Sequence, residues 1–192
     1  MIEILGYSSG ILMMISSVPY IRDILKGKTK PERATWFIWS VLMIIAFFAQ
    51  VASGGTFSTL LTVGDTIVVI VIFILSIKHG MAGWMMRDKL ALVGAGISLI
   101  LWYFTKNPAI ALLIVIFIDF LGGWLTIVKS YENPQSETMI SWFISSVAGF
   151  LGVLAVGEMN FILLAFPLYI CLINLTIGLT IFFGRRKLKS KF

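Results

Sequence analysis

Apolar stretches of about twenty residues follow one another along the whole chain, and the short segments between them hold nearly all of the charges. The chain is 59% hydrophobic and 12% charged, and its mean hydropathy is +1.00, beyond the range of soluble domains. In hydrocarbon, backbone polar groups must find partners within the segment, which favours helices. The pattern therefore predicts an all-α integral membrane protein with seven transmembrane helices near 3–21, 34–53, 57–78, 88–105, 108–129, 138–157 and 160–184.

The distribution of basic residues predicts the orientation of the chain. Seven crossings put only Lys106 on one side and the other fourteen of the 15 basic residues on the opposite side. These fourteen are Arg22, Lys26, Lys28, Lys30, Arg33, Lys78, Arg87, Lys89, Lys129, Arg185, Arg186, Lys187, Lys189 and Lys191. Because positive loops stay in the cytoplasm, we expect a plasma (inner) membrane protein with its N-terminus outside and its C-terminus cytoplasmic. The net charge of +6 then reflects topology and anionic lipid, so no nucleic-acid partner is expected.

Two halves of the chain resemble each other. Residues 36–41 (WFIWSV) and 142–147 (WFISSV) agree at five of six positions, 106 residues apart. At a separation of 103, three residues of the first half are matched by the same residue types in the second: Ile24, Lys26 and Pro31 by Ile127, Lys129 and Pro134. A matched tryptophan, loop lysine and loop proline in one order predict an internal repeat. Two like-oriented units need an odd number of linking helices. We therefore expect two parallel three-helix bundles, 1–80 and 107–192, the second ending in a basic cytoplasmic tail, joined by an inverting helix within 81–106.

Residues 16–30 (SSVPYIRDILKGKTK) resemble the end of the first helix in the PQ-loop superfamily, which includes the SWEET sugar transporters. The chain has Tyr20 where those proteins have glutamine after proline, and Gly122-Gly123 in the second copy, while Pro134-Gln135 falls in the following loop. The resemblance implies a secondary carrier that moves a small polar solute by alternating access, with sugar as the first candidate. Alternatives of the same fold are a proton-coupled amino-acid carrier or a carrier of a cationic vitamin, similar to cystinosin or to PnuC carriers, and a non-transporting ligand-binding protein similar to the KDEL receptors. Asp119 favours these carriers over a sugar transporter, because a neutral sugar needs no buried carboxylate.

Three polar side chains inside apolar stretches are candidates for a substrate or proton site. An ionised group at the bilayer centre costs about 3 kcal/mol or more. Asp119 lies about eleven residues, or roughly 16 Å, into the fifth stretch, near the midplane; the alternative is a protonated acid bonded to a neighbouring helix. Asp65 either lies in the transport pathway or takes part in helix packing beside Gly64. Asn174 falls where the resemblance implies a sugar-binding asparagine, or else joins two helices by hydrogen bonds.

Other residues are candidates for the pathway or its gate. Trp36 and Trp142 begin their stretches at the cytoplasmic side, where they suit an inner gate or an interfacial aromatic belt. Pro19 removes a backbone hydrogen bond near the inner end of the first helix and would permit a hinge. Candidates for lining a polar path are Gln50, Ser145, Ser146 and Tyr169.

The sequence carries no catalytic constellation. His79 is the only histidine and lies at a helix end, so neither a histidine metal cluster nor a Ser/His pair can form. We expect no enzyme activity, no cofactor and no metal site. The expected partners are a small polar solute, the lipid bilayer and, if transport is coupled, protons; assembly into a homo-oligomer is left open.

Overall fold

The computed structural model describes residues 1–31, 33–81, 83, 85–135, 137–157 and 160–189. Within these residues the chain forms seven α-helices, as predicted. They are α1 (Ile2–Leu25), α2 (Arg33–Ala52), α3 (Thr59–His79), α4 (Met86–Thr105), α5 (Pro108–Glu132), α6 (Met139–Leu154) and α7 (Phe161–Lys189). Lys191, one of the fourteen basic residues, lies outside the described residues.

Asparagine side chains start two of the helices. Asn107 Oδ1 accepts a hydrogen bond from the backbone N–H of Ala109 at 3.0 Å, and Pro108 follows at the first helical position, where its missing N–H costs nothing. Asn160 caps α7 in the same way by accepting from Ile162 and Leu163. Both helices therefore begin at a sharp, sequence-encoded boundary.

Five of the helices are long and apolar enough to cross a membrane: α1, α2, α3, α5 and α7. The remaining two contribute shorter apolar segments, Lys89–Thr105 of α4 and Met139–Leu154 of α6. A 16-residue helix such as α6 spans about 24 Å, less than the roughly 30 Å hydrocarbon core. The helices indicate an integral membrane protein.

Six helices form a closed ring. Going around it, α1 packs against α3, α3 against α2, α2 against α5, α5 against α7, α7 against α6, and α6 back against α1. The remaining helix, α4, packs on the outer side of α5 and α2. The apolar core draws most of its residues from α2 and α5, such as Leu42, Ala46 and Leu112, and it extends to Phe166 of α7; all four side chains are fully buried. Large apolar side chains are also exposed on the outer surface of the helices.

Glycines bring the ring helices into backbone contact at the end away from the basic loops. A Cβ on Gly64 would lie 2.5 Å from the carbonyl oxygen of Gly10, so α3 and α1 touch there without intervening side chains. A Cβ on Gly149 of α6 would similarly lie 2.6 Å from the backbone nitrogen of Cys171 on α7. Ser9 Oγ adds a 2.7 Å hydrogen bond from α1 to the carbonyl of Ala148. This end of the ring is tightly closed.

Candidate functional site

A cavity of about 110 Å³ lies inside the ring. All six ring helices contribute to its wall, and no described residue of α4 does. One water needs roughly 10–15 Å³ by the same measure, so the cavity has room for several waters or for one small solute. Apart from Met43 near the middle of α2, the wall residues of α2 and α6 come from the first halves of those helices, close to the basic loops. The cavity thus lies between the glycine-packed end and the basic end.

Two carboxyl groups face this cavity, Asp65 from α3 and Asp119 from α5. The hydroxyl of Tyr169 on α7 donates a hydrogen bond to Asp119 Oδ2. Asp65 makes no hydrogen bond with the described residues, and it is close enough to Asp119 for the two groups to interact electrostatically. Lysine, arginine and histidine are missing from the described wall. An ionised pair of acids here would therefore have no basic side chain to balance it.

Asn174 adds an amide to the same wall. It is 8% exposed, and its Nδ2 donates to the carbonyl of Ile170, 2.8 Å away and one turn earlier in α7. A side-chain amide has two N–H donors and one carbonyl acceptor, so this bond uses only part of its capacity. The amide can therefore still bind a group inside the cavity.

Serines and a tryptophan of α6 provide further polar groups. Ser145 Oγ donates to Ser16 Oγ at 2.8 Å and so joins α6 to α1 at the cavity. Ser141 Oγ and Trp142 Nε1 are buried and have no hydrogen-bond partner among the described residues. An unsatisfied buried polar atom costs about 1–3 kcal/mol. Both residues line the cavity, but these two atoms are buried, so a solute would reach them only if the side chains turned towards it.

Aromatic rings form the wall near the basic end. The rings of Tyr20 and Trp36 have centroids 5.5 Å apart, and Trp36 packs edge-to-face against Trp39 at 4.9 Å. Trp142 of α6 also lines the cavity. Trp36 and Trp142 were predicted for an inner gate, whereas Tyr20 and Trp39 were missed. Trp39 is the one position at which the two repeated hexapeptides differ, with Ser145 as its counterpart, so the repeat does not mark it.

Three of the predicted pathway residues, Gln50, Ser146 and Tyr169, do not line this cavity, and neither does the predicted hinge residue Pro19. Gln50 is fully buried, and its Nε2 donates to the hydroxyl of Thr62 on α3 at 2.8 Å. Ser146 Oγ donates to the backbone carbonyl of Cys171 at 2.9 Å, between α6 and α7. Pro19 lies inside α1, directly before Tyr20. These side chains contribute to helix packing and helix geometry around the cavity.

Polar side chains connect the loops at the basic end of the ring. Thr138 Oγ1 donates to Asp23 Oδ2 at 2.9 Å, linking the end of α1 to the start of α6. Lys129 and Glu137 form a salt bridge of 2.8 Å, and Arg185 donates to the carbonyl of Glu137. The Lys129 side chain is 55% exposed and that of Glu137 is 5% exposed, so this ion pair is only partly in solvent. Gly80 also packs closely at this end, where a Cβ would lie 2.5 Å from the carbonyl oxygen of Pro31.

Comparisons of the chain with protein-family models, with curated proteins and with solved structures found no match. Within the described part of the chain, no group of three or more histidine, cysteine or acidic side chains could hold a metal ion. The arrangement of Asp65, Asp119 and Asn174 around a cavity of limited size is suited to reversible binding of a small solute.

Proposed function

We propose that this protein is a secondary carrier that moves a small polar solute across the membrane by alternating access. The observation that supports this most is a cavity inside the ring whose polar groups come from both halves of the chain, Asp65 from the first and Asp119 and Asn174 from the second. A polar site between repeated halves is what alternating access requires, because rocking one half against the other exposes the site to each side in turn.

The proposed architecture is two parallel three-helix bundles, α1–α3 and α5–α7, with α4 as the inverting link. The helix contacts support it, since exchanging α1, α2 and α3 for α5, α6 and α7 turns the ring of contacts into itself. That is the behaviour of a pseudo-twofold axis along the membrane normal. With seven crossings, the basic loops lie in the cytoplasm and the N-terminus outside.

The positions that line the cavity give independent support for the repeat. In α3 they are 65, 68, 69 and 72, and in α7 they are 170, 173, 174 and 177, a constant separation of 105. Ser16 and Asp119 are 103 residues apart, and Trp36 and Trp142 are 106 apart. The last two separations equal those of the repeated sequence segments. Equivalent faces of equivalent helices therefore line the cavity.

The two ends of the ring support a rocking motion with an inner gate. Polar loop contacts close the basic end, and backbone packing at Gly10 and Gly64 closes the other end. Trp36 and Trp142 lie between the cavity and the basic loops, where their rings would close the inner exit. Pro19, near the same end of α1, would supply the hinge.

Uptake into liposomes tests the proposal. Purified protein would be reconstituted, and protein-dependent uptake of labelled glucose, labelled lysine and labelled benzyltrimethylammonium would be measured at two pH values. A carrier should give saturable uptake of at least one probe, with counterflow when the same probe is loaded inside. Glucose represents the sugar expected from the resemblance, and lysine the amino-acid alternative. A probe that binds to the purified protein while no probe crosses would overturn the carrier and favour a receptor.

The variant Asp119→Asn tests the role of the buried acid, because it removes the charge and keeps the size of the side chain. We expect uptake of the transported probe to fall by about tenfold or more, or to lose its pH dependence, since a charge-assisted contact contributes about 1.5–3 kcal/mol. Glu132→Gln is the matched control, since Glu132 is exposed at the end of α5. An unchanged rate and pH profile for Asp119→Asn would reject its proposed role.

A further inference from the structure

The charge of the cavity restricts the solutes that it can accept. Asp65 and Asp119 line it, and the described wall contains no lysine, arginine or histidine. Buried charge without a partner is strongly unfavourable in a membrane interior. The missing positive charge must therefore come from whatever enters the cavity, as a proton or as a cationic solute.

The rest of the cavity wall is largely aromatic and aliphatic. Tyr20, Trp36 and Trp39 form one continuous ring cluster, with Val68 and Ile72 of α3 next to them in the wall. Aromatic faces attract organic cations, and the attraction reaches about 2 kcal/mol when the site excludes water. A strongly hydrated inorganic ion gains little from such a surface, whereas a cation with an apolar body buries that body there.

We propose that the cavity binds a small organic cation with an aromatic or branched apolar body. Its positive charge lies at Asp65 and Asp119, and its body packs against Tyr20, Trp36 and Trp39. This inference rests on the proposed carrier function for its biological meaning, and names the substrate class of the same site. Asp65, which makes no hydrogen bond with the described residues, provides the carboxyl most available to the cation.

Charge separates this class from the alternatives. A neutral sugar supplies no positive charge, so both acids would have to be protonated when it binds, and an anion would bring a third negative group beside them. A cation with an apolar body supplies the charge and covers the aromatic wall at the same time.

A binding measurement in detergent tests the inference with probes that share a benzyl group and differ in charge. Benzyltrimethylammonium is a permanent cation, benzyl alcohol is neutral, and phenylacetate is an anion. Three of the six tryptophans line the cavity, Trp36, Trp39 and Trp142, so tryptophan fluorescence reports occupancy. We expect saturable binding of the cation, and binding at least about tenfold weaker for the neutral and anionic probes.

The variants assign the binding to the acids. Asp65→Asn should weaken binding of benzyltrimethylammonium by about tenfold or more, because it removes a desolvated charge partner. Glu132→Gln removes a carboxylate of the exposed surface and should bind like the wild type. Trp36→Leu keeps both acids. If the indole ring contributes as proposed, this variant should weaken binding of benzyltrimethylammonium more than it weakens binding of benzyl alcohol. Gel filtration and circular dichroism verify that each variant is folded.

Failure of the substrate class and failure of the carrier give different results. If glucose or phenylacetate binds more tightly than the cation, or if neither Asp65→Asn nor Asp119→Asn changes cation binding, the proposed class is wrong whatever crosses the liposomes. If the cation binds with the expected dependence on Asp65 but no probe is taken up, the proposed substrate class is supported and the proposed carrier function is wrong. Uptake of glucose alone supports the carrier and overturns the cationic class.

Discussion

Replacing Gly64 with alanine should force α1 and α3 apart. The added Cβ would lie 2.5 Å from the carbonyl oxygen of Gly10, whereas ordinary contact begins near 3.4 Å. The helices must therefore separate by up to about 0.9 Å or bend, and overpacking of this kind costs about 1–3 kcal/mol. Alanine also favours helix over glycine by about 0.5–1 kcal/mol, which partly offsets the clash.

Gly96→Ala isolates the clash, because a Cβ on Gly96 in α4 meets no atom within 4 Å. Both variants gain similar helix propensity, so their difference measures the contact between α1 and α3. We expect Gly64→Ala to unfold about 1–3 kcal/mol more easily than Gly96→Ala in sodium dodecyl sulfate titrations followed by circular dichroism. Because Asp65 is the next residue, cation binding should weaken as well. Equal stabilities for the two variants would refute the backbone contact at Gly10.

Two further predictions concern the packing and the orientation of the helices. Gln50→Leu leaves the Thr62 hydroxyl without its partner, and should lower the unfolding free energy by about 1–3 kcal/mol while Thr62→Val in the same chain recovers most of the loss. Transport should be unchanged, since neither side chain lines the cavity. In a Cys171→Ser background, Lys106→Cys should react with an impermeant maleimide on intact cells, and Lys28→Cys only after permeabilisation; the reverse pattern would refute the orientation.

The number and positions of the helices follow from the sequence because the bilayer imposes one length scale on apolar segments. The predicted ends differ mainly where a helix continues into water. The last helix continues to Lys189, five residues past the predicted end at 184, and α1 ends at Leu25 rather than near 21. Basic residues leave the hydrocarbon in both places without breaking the helix, since lysine and arginine are good helix formers. Hydropathy detects the membrane boundary and not the end of the backbone hydrogen bonds.

The candidate site was only partly predictable from the sequence. Asp65 and Asp119 are easily recognised in the sequence because each is an acid within an apolar stretch, and the structure places both at one cavity. The polarity of Gln50 is equally visible, but its partner Thr62 lies on another helix and satisfies it there. Sequence periodicity cannot choose between these cases, because every face of a buried membrane helix is apolar. Trp39 was missed for the same reason, since only the fold decides which aromatic residues face inward.

The glycines that replace the proline and its neighbour in the second half have a packing reason. A Cβ on Gly122 would lie 3.3 Å from Trp39 Nε1, and one on Gly123 would lie 2.8 Å from Ile173. At the equivalent positions of the first half, α1 carries Pro19 and Tyr20. The tryptophan of α2 thus occupies, on one side of the axis, space that a larger residue on α5 would need. Close packing of Trp39 and Ile173 therefore leaves little room for larger side chains at Gly122 and Gly123.

In the proposed carrier, the two halves repeat the same helices but carry different side chains at equivalent positions, and these two properties have separate consequences. The proposed pseudo-twofold axis relates Asp65 to Ile170 and Asn174 to Val69, so each polar group of α3 and α7 occurs once. A second pair of acids at the related positions would double the uncompensated buried charge, which the membrane strongly disfavours. In the proposed carrier, equivalent helices would allow two related rocking states, while the single set of polar groups would select one orientation of the solute. A cation would then keep the same contacts with Asp65 and Asp119 as the ring opens at one end and closes at the other.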